Sequence, residues 1–253
     1  TLFGYHASAP ALVPNMAAPL QGIYLTSQTV VSAGGKETIK RLRERGGNMV
    51  VFDVQNSGGR LAYPSMLPLS LELDNRNTQI PDLPKIVEQL HDEGMYAVAR
   101  LVLFKNGFLA GKKPAWGLKR KGGGGLFMSH DGPIWLDPGN PELKEYIIDI
   151  ARELALAGVD EVQFDYMRFP EAGNRNLIPH SYTGDATYSR DQTITNFVAD
   201  AAAQLHYLGV NVGADIFGIV VWDDVSWRVI GQNIGELGKY LDAIYPMPYP
   251  SHF

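Results

Sequence analysis

Cysteine is absent from the 253 residues, which rules out disulfides, zinc–thiolate sites and thiol nucleophiles and leaves the redox compartment unread. No apolar run reaches the roughly 18 residues of a membrane-crossing helix, so no membrane span is expected. Positive charge is in deficit: 22 Lys and Arg against 27 Asp and Glu leave a formal net charge of −5 and a pI near 5.7. The longest basic run is Lys119 to Lys121, and with the net charge negative no nucleic-acid partner is expected. His6, His91, His130, His180 and His206 lack metal-ligand spacing, so neither a metal site nor a cofactor is expected.

What remains suits a sugar, a peptide or a small molecule. A hydrophobic content of 45% can bury the core of one large α/β barrel. Residues 1–19, rich in Ala and Pro, have no helical or strand period and read as an extended lead-in or linker. Residues 20–253 read as the barrel and catalytic domain. The first residue, Thr1, is not an initiator Met, so removal of a signal peptide and an extracytoplasmic or secreted location are expected. The oligomeric state is left open.

Strands and helices alternate along the chain. G-I-Y-L-T at Gly22 to Thr26 reads as a strand and Lys36 to Arg45 as a charged helix. Asn48 to Val54 is an apolar strand of the kind buried on both faces in a parallel sheet, with Asp53 near its end. A helix from Leu83 to Glu93 precedes a strand from Met95 to Phe104 that carries Arg100 inside it and Lys105 at its exit. Arg100 reads as a barrel-interior ion-pair partner. Asn140 as cap, Pro141 in the first turn and Gly158 as stop delimit the helix Pro141 to Ala157. It feeds the strand of G-V-D-E-V-Q-F-D-Y-M-R-F-P, where Asp165, Tyr166 and Arg168 crowd against Pro170. A helix from Asp191 to Leu208, a strand from Val210 to Phe217, a short helix at 233–241 and a strand from Ala243 to Met247 follow. The loops 55–80 and 105–140 are long enough to be lids or binding loops.

Six strand–helix alternations predict a parallel sheet. The glycines do not have the spacing of a nucleotide-binding turn or a P-loop. A (β/α)8 TIM barrel gathers its function at the C-terminal ends of its strands, where Asp53, Lys105, Asp165, Arg168, Asp215 and His252 fall. Only about six of its eight β/α units are evident. Six strands alone would leave two long edges, so a longer native chain, an unusual closure or a compensating contact is expected.

The blocks G-I-Y-L-T-S, V-V-F-D-V-Q-N-S-G-G-R-L-A-Y, R-L-V-L-F-K-N, W-L-D-P-G-N-P-E, E-V-Q-F-D-Y-M-R-F-P, G-A-D-I-F-G, I-G-Q and Y-P-M-P-Y-P-S-H-F together resemble the putative glycosyl hydrolase domain family of bacteria and archaea, itself distantly similar to α-amylase-type barrels. The resemblance covers roughly residues 20–253 and implies a TIM barrel with glycosidase activity. Family members continue past the P-S-H block, so this chain looks abbreviated, and Asn106 stands where Asp is commoner. By analogy with α-amylase-type barrels, the resemblance implies Asp165 as nucleophile and Asp215 as acid/base.

The residues agree with that chemistry without compelling it. Glycoside hydrolysis uses two carboxyl groups roughly 5 Å apart for retention or roughly 6.5 to 9.5 Å for inversion. Asp165 and Asp215 end adjacent strands and could reach either separation. Arg168 is expected to hold Asp165 ionised, while Asp215 needs a raised pKa to act as an acid. Asp53, Lys105, Tyr166, Tyr249 and His252 could bind sugar hydroxyls, and Trp116, Trp135, Trp222 and Trp227 could stack on pyranose rings. Each has a plainer reading: Asp-x-x-Arg is commonly a structural ion pair, Asp215 could cap a turn, and a loop Trp is as often lid packing. A non-catalytic carbohydrate-binding barrel, or another hydrolase or lyase on the same fold, stays open.

Overall fold

Six strands of the chain line up in one parallel sheet. The computed structural model describes residues 19–55, 58–122, 125–171, 175–178, 181–183, 187–221 and 224–248. The strands are β1 (Gly22–Leu25), β2 (Met49–Gln55), β3 (Tyr96–Val102), β4 (Glu161–Asp165), β5 (Ser181–Thr183), β6 (Thr187–Ser189), β7 (Asn211–Phe217) and β8 (Ala243–Met247). The helices are α1 (Ser27–Val31), α2 (Ala33–Glu44), α3 (Pro68–Glu72), α4 (Leu83–Asp92), α5 (Gly107–Lys112), α6 (Pro141–Leu156), α7 (Arg190–Tyr207), α8 (Asp224–Ile230) and α9 (Ile234–Leu237). The sheet order is β1-β2-β3-β4-β7-β8, every pairing parallel, while β5 and β6 form a separate antiparallel hairpin. The sheet curls into a half-barrel with β1 and β8 at its edges.

Local chemistry sets the helix ends. Asn140 accepts from the Leu143 N–H with Pro141 in the first turn, and Gly158 follows at φ +94°, where a side chain would be strained. Ser189 and Gln192 close a reciprocal capping box on α7. The short helices α1, α3 and α5 and the β5–β6 hairpin are additions within stretches that read as loops. Each is five or six residues or a three-residue pair, too brief for a helical or strand period to emerge.

The period of two divides each strand between two environments. On the convex side Val50, Phe52, Val54, Ala97, Ala99, Leu101, Val162, Phe164, Val212, Ala214 and Ile216 share one apolar cluster with α4, α6 and α7. On the concave side the register aligns Asp53 with Arg100 and Arg100 with Gln163, and sets Val102 beside Asp165. Strand β2 is buried on both faces as expected, but its inner face ends in Asp53 and Gln55 rather than in apolar groups.

Candidate active site

The concave face is built in two polar layers over a small apolar floor of Val51, Tyr96 and Val98. In the lower layer Glu161 accepts hydrogen bonds from the hydroxyls of Tyr245, at 2.7 Å, and Tyr96, at 3.2 Å. The Asn211 amide donates to Tyr96 Oη at 2.8 Å. Burial raises the Glu161 carboxyl, and the two phenols that donate to it only partly oppose that. Gly213 makes room for the layer: a Cβ there would lie 2.1 Å from Glu161 Oε1 and 2.7 Å from the Tyr245 ring.

The upper layer gathers three carboxylates around Arg100. The guanidinium bonds Asp53 through Nη1 and Asp165 through Nη2, and its Nε lies 3.7 Å from Asp215 Oδ2. Tyr24 Oη donates to Asp53 at 2.5 Å. Gln163 Nε2 donates to Asp215 Oδ1 at 2.8 Å, and the Tyr166 N–H donates to Asp165 Oδ1 at 2.6 Å. Asp53, Asp165 and Asp215 are all buried. Because Asp165 and Asp215 both touch one planar guanidinium, their carboxyl groups lie within roughly 10 Å of each other, the span over which paired carboxyls hydrolyse glycosides.

The environments of these two groups differ. Burial, then the neighbouring Asp165 charge, lifts Asp215 to about 7, with Arg100 and the Gln163 bond opposing. Asp165 meets donors at both oxygens, Arg100 at one and its neighbour's N–H at the other. Buried Gln232 fixes the end of β7: its Nε2 donates to the Asp215 carbonyl at 3.1 Å and its Oε1 accepts from the Phe217 N–H at 2.9 Å.

Arg168 does not hold Asp165 as the sequence suggested. Its Nη1 pairs with Glu171, three residues on, because the chain turns at Tyr166, which sits at φ +50°. That left-handed conformation is costly for an aromatic residue and falls directly after Asp165. Arg168 is instead enclosed by rings, its Cζ 5.4 Å from the Trp135 centroid and 5.0 Å from those of Tyr166 and Phe217. Lys105 Nζ lies 5.1 Å from the Tyr166 centroid.

The structure thus brings Asp53, Asp165 and Asp215 together and places Lys105, Tyr166, Arg168 and Trp135 in an adjoining cluster. Trp135 is buried, with its ring against Tyr166 and Arg168, so it is a wall rather than an open platform. Trp116 is also unavailable for stacking: it is fully buried and its indole N–H donates to Glu142 at 2.8 Å. Trp227 packs against the core beside Arg228. Tyr249, His252 and Trp222 lie outside the described residues. Sequence reasoning missed Tyr24, Gln163 and Gln232. The first two share a strand face with the site, and the alternation Glu161, Gln163, Asp165 was the signal for Gln163. Among the described residues no cluster of three or more His, Asp or Glu is placed to hold a metal ion, and no helix is long and apolar enough to cross a membrane.

A curled parallel sheet with helices outside and polar groups at the strands' C-terminal ends defines an α/β barrel-type protein of the kind found among glycoside hydrolases. The chain belongs to the family described as "Putative glycosyl hydrolase domain", whose model matches residues 22–253. Among solved structures it is similar to a hypothetical protein from Ruminiclostridium thermocellum, with 31% identity and a TM-score of 0.67 over 76% of this chain and 96% of that one. The fold is shared with the glycoside hydrolase domain of PgaB (BpsB) from Bordetella bronchiseptica, at 15% identity and a TM-score of 0.62 over 90% of this chain and 74% of that one. It is shared too with a noncanonic maltogenic α-amylase from Thermotoga neapolitana, at 17% identity and a TM-score of 0.54 over 90% of this chain and 49% of that one. No match was found among curated proteins.

Proposed function

We propose that this protein is a glycoside hydrolase acting on a polysaccharide or oligosaccharide, with Asp215 as general acid and Asp165 as the second carboxylate. The observation that carries this reading is the convergence of two carboxyl groups from adjacent strand ends on one guanidinium in a buried concavity. Asp215, at about 7, keeps its proton near neutrality and can deliver it to the leaving-group oxygen. Arg100 and the Tyr166 N–H donate to the two oxygens of Asp165, an arrangement that fits the second carboxyl of a glycosidase pair. Arg100 separates the two roles: it bonds Asp165 closely and stands farther from Asp215. Tyr24 and Asp53 complete the wall beside them and offer polar groups to sugar hydroxyls.

The test is turnover of a polysaccharide panel with product analysis. On a substrate the wild type cleaves, Asp215→Asn should lower kcat by about 10²- to 10⁴-fold, with Asp165→Asn at least as severe. The wild-type pH profile should lose activity as pH rises through about 7. Wild-type turnover in both variants would remove the pair from the chemistry. A non-catalytic carbohydrate-binding site is favoured by one observation, that both Asp165 oxygens are already engaged. Each oxygen retains a second lone pair, so binding without turnover across the panel is the result that would select this alternative.

A further inference from the structure

Beside the carboxylate pair lies a cationic cluster that the acid/base chemistry does not use. Phe217 follows Asp215 by two residues on the same strand face, and Tyr166 directly follows Asp165. These two rings, with Trp135, enclose Arg168, which is only 4% exposed. One nitrogen of its guanidinium pairs with Glu171, but Nε is buried with no hydrogen-bond partner among the described residues. An unsatisfied buried N–H is costly, and the cost is relieved when an acceptor arrives. Lys105 faces the same Tyr166 ring, so among the described residues of this cluster two cations stand against one carboxylate, that of Glu171. Burial pushes that carboxyl up, yet the Arg168 bond and charge, aided by Lys105, hold it below its ordinary value.

The charge of the surrounding rim points the same way and is independent of that geometry. Residues 105–130 contain Lys105, Lys112, Lys113, Lys119, Arg120 and Lys121 and neither Asp nor Glu, in a chain whose net charge is −5. The segment leaves the C-terminal end of β3, and the chain then returns beside that exit: the Asn106 N–H donates to the Ile134 carbonyl and the Leu136 N–H to the Phe104 carbonyl, each at 2.8 Å. Lys113 is paired with Glu142, while Lys112, Lys119, Arg120 and Lys121 are exposed. An acidic protein has thus concentrated cations in the loop that leaves the strand next to its carboxylate pair.

We propose that the ligand is an acidic glycan, with a sugar carboxylate held by Arg168 and Lys105 next to Asp165 and Asp215 and further carboxylates along the basic rim. This rests on the reading of the concave face as a glycan site and narrows it to uronic-acid-type sugars. The Arg168 fork suits a planar carboxylate, and the aromatic walls exclude water around it.

The experiment is calorimetric binding to the full-length Asp165→Asn protein, so that hydrolysis does not intervene. Polygalacturonate, alginate and hyaluronan oligomers are each compared with their methyl-esterified, neutral forms, and dextran sulfate serves as a non-carboxylate polyanion. At least one acidic form should bind about 10-fold or more tightly than its ester. Lys105→Met and Arg168→Gln should each reduce that ratio. Glu171→Gln, which releases Arg168 from its partner, should widen it; a purely structural Arg168–Glu171 pair predicts no widening. Equal binding of acid and ester overturns the inference and leaves the glycan reading intact, whereas no binding of any glycan overturns both. A preference that survives in Lys105→Met and Glu171→Gln unchanged, or is matched by dextran sulfate, reduces the effect to general polyanion attraction and overturns the carboxylate assignment. Should Arg168→Gln fail to fold, the Lys105 and Glu171 variants decide.

Discussion

The two faces of the sheet come from the same strands and behave as different materials. Along β4, Val162 and Phe164 enter the apolar cluster under the helices, while Glu161, Gln163 and Asp165, one residue out of phase, line the concavity. All five are buried, so burial alone does not separate them. The convex face gains from apolar area removed from water and from close packing. The concave face gains little by burial, because each charge taken from water must be compensated by a partner. Its order therefore depends on a few specific contacts, with Arg100 at the centre. A core tolerates a conservative swap at one site, whereas a polar network centred on one guanidinium is lost when that group is removed.

The sharpest way to break this contrast is to damage each face once. Phe164→Ala, fully buried on the convex side, should cost about 3–5 kcal/mol in denaturant unfolding, nearly independent of pH. Arg100→Met should cost a similar amount near neutral pH, about 3–5 kcal/mol, because it leaves Asp53 and Asp165 buried without their cation. Replacing both Asp53 and Asp165 with Asn should recover much of that loss and none of the Phe164→Ala loss. Equal recovery in the two backgrounds would erase the distinction between the faces.

A smaller and opposite effect is expected at Asp215. Its carboxyl is raised in the folded protein to about 7 from 3.8. The associated stability is thus fully present below pH 3.8 and is lost progressively as pH rises through about 7. Asp215→Asn abolishes the ionisation, so the variant should be more stable than wild type at pH 8, by on the order of 1–4 kcal/mol, and nearly equal to it at pH 3.5. Thermal melts at both values would decide, and a variant less stable at pH 8 would contradict the assignment. Smallest of all, Gly213→Ala should cost about 1–3 kcal/mol by crowding Glu161 against Tyr245. If the lower layer merely fills space, the double variant Gly213→Ala with Glu161→Gln should be no better than the single one. If polar register matters, the two changes should be non-additive.

Much of this was legible in the chain before any coordinates. The helix of α6 announced itself through Asn140, Pro141 and Gly158, because caps and stops act within a few residues. Strand β8 was readable from Ala243 to Met247, and the six parallel strands followed from alternation with helices. Asp165 and Asp215 were conspicuous as carboxylates at strand ends. The partner of Asp165 was not legible. Arg168 is three residues away and Arg100 sixty-five, and sequence reasoning favours the near cation. The positive φ at Tyr166, which turns Arg168 toward Glu171 and the rings, has no glycine to advertise it.

What the sequence determined by itself is the inventory and the local grammar: no thiol, a deficit of positive charge with six cations concentrated between Lys105 and Lys121, the order of strands and helices, and the carboxylates that end them. What only the tertiary structure decided is who meets whom. Parallel pairing brings side chains separated by dozens of residues to one level on one face, and the curl turns carboxylates from three strands toward a single guanidinium on a fourth. Proton affinity follows from that convergence, since burial and neighbouring charge, rather than residue type, set the proton-holding Asp215 apart.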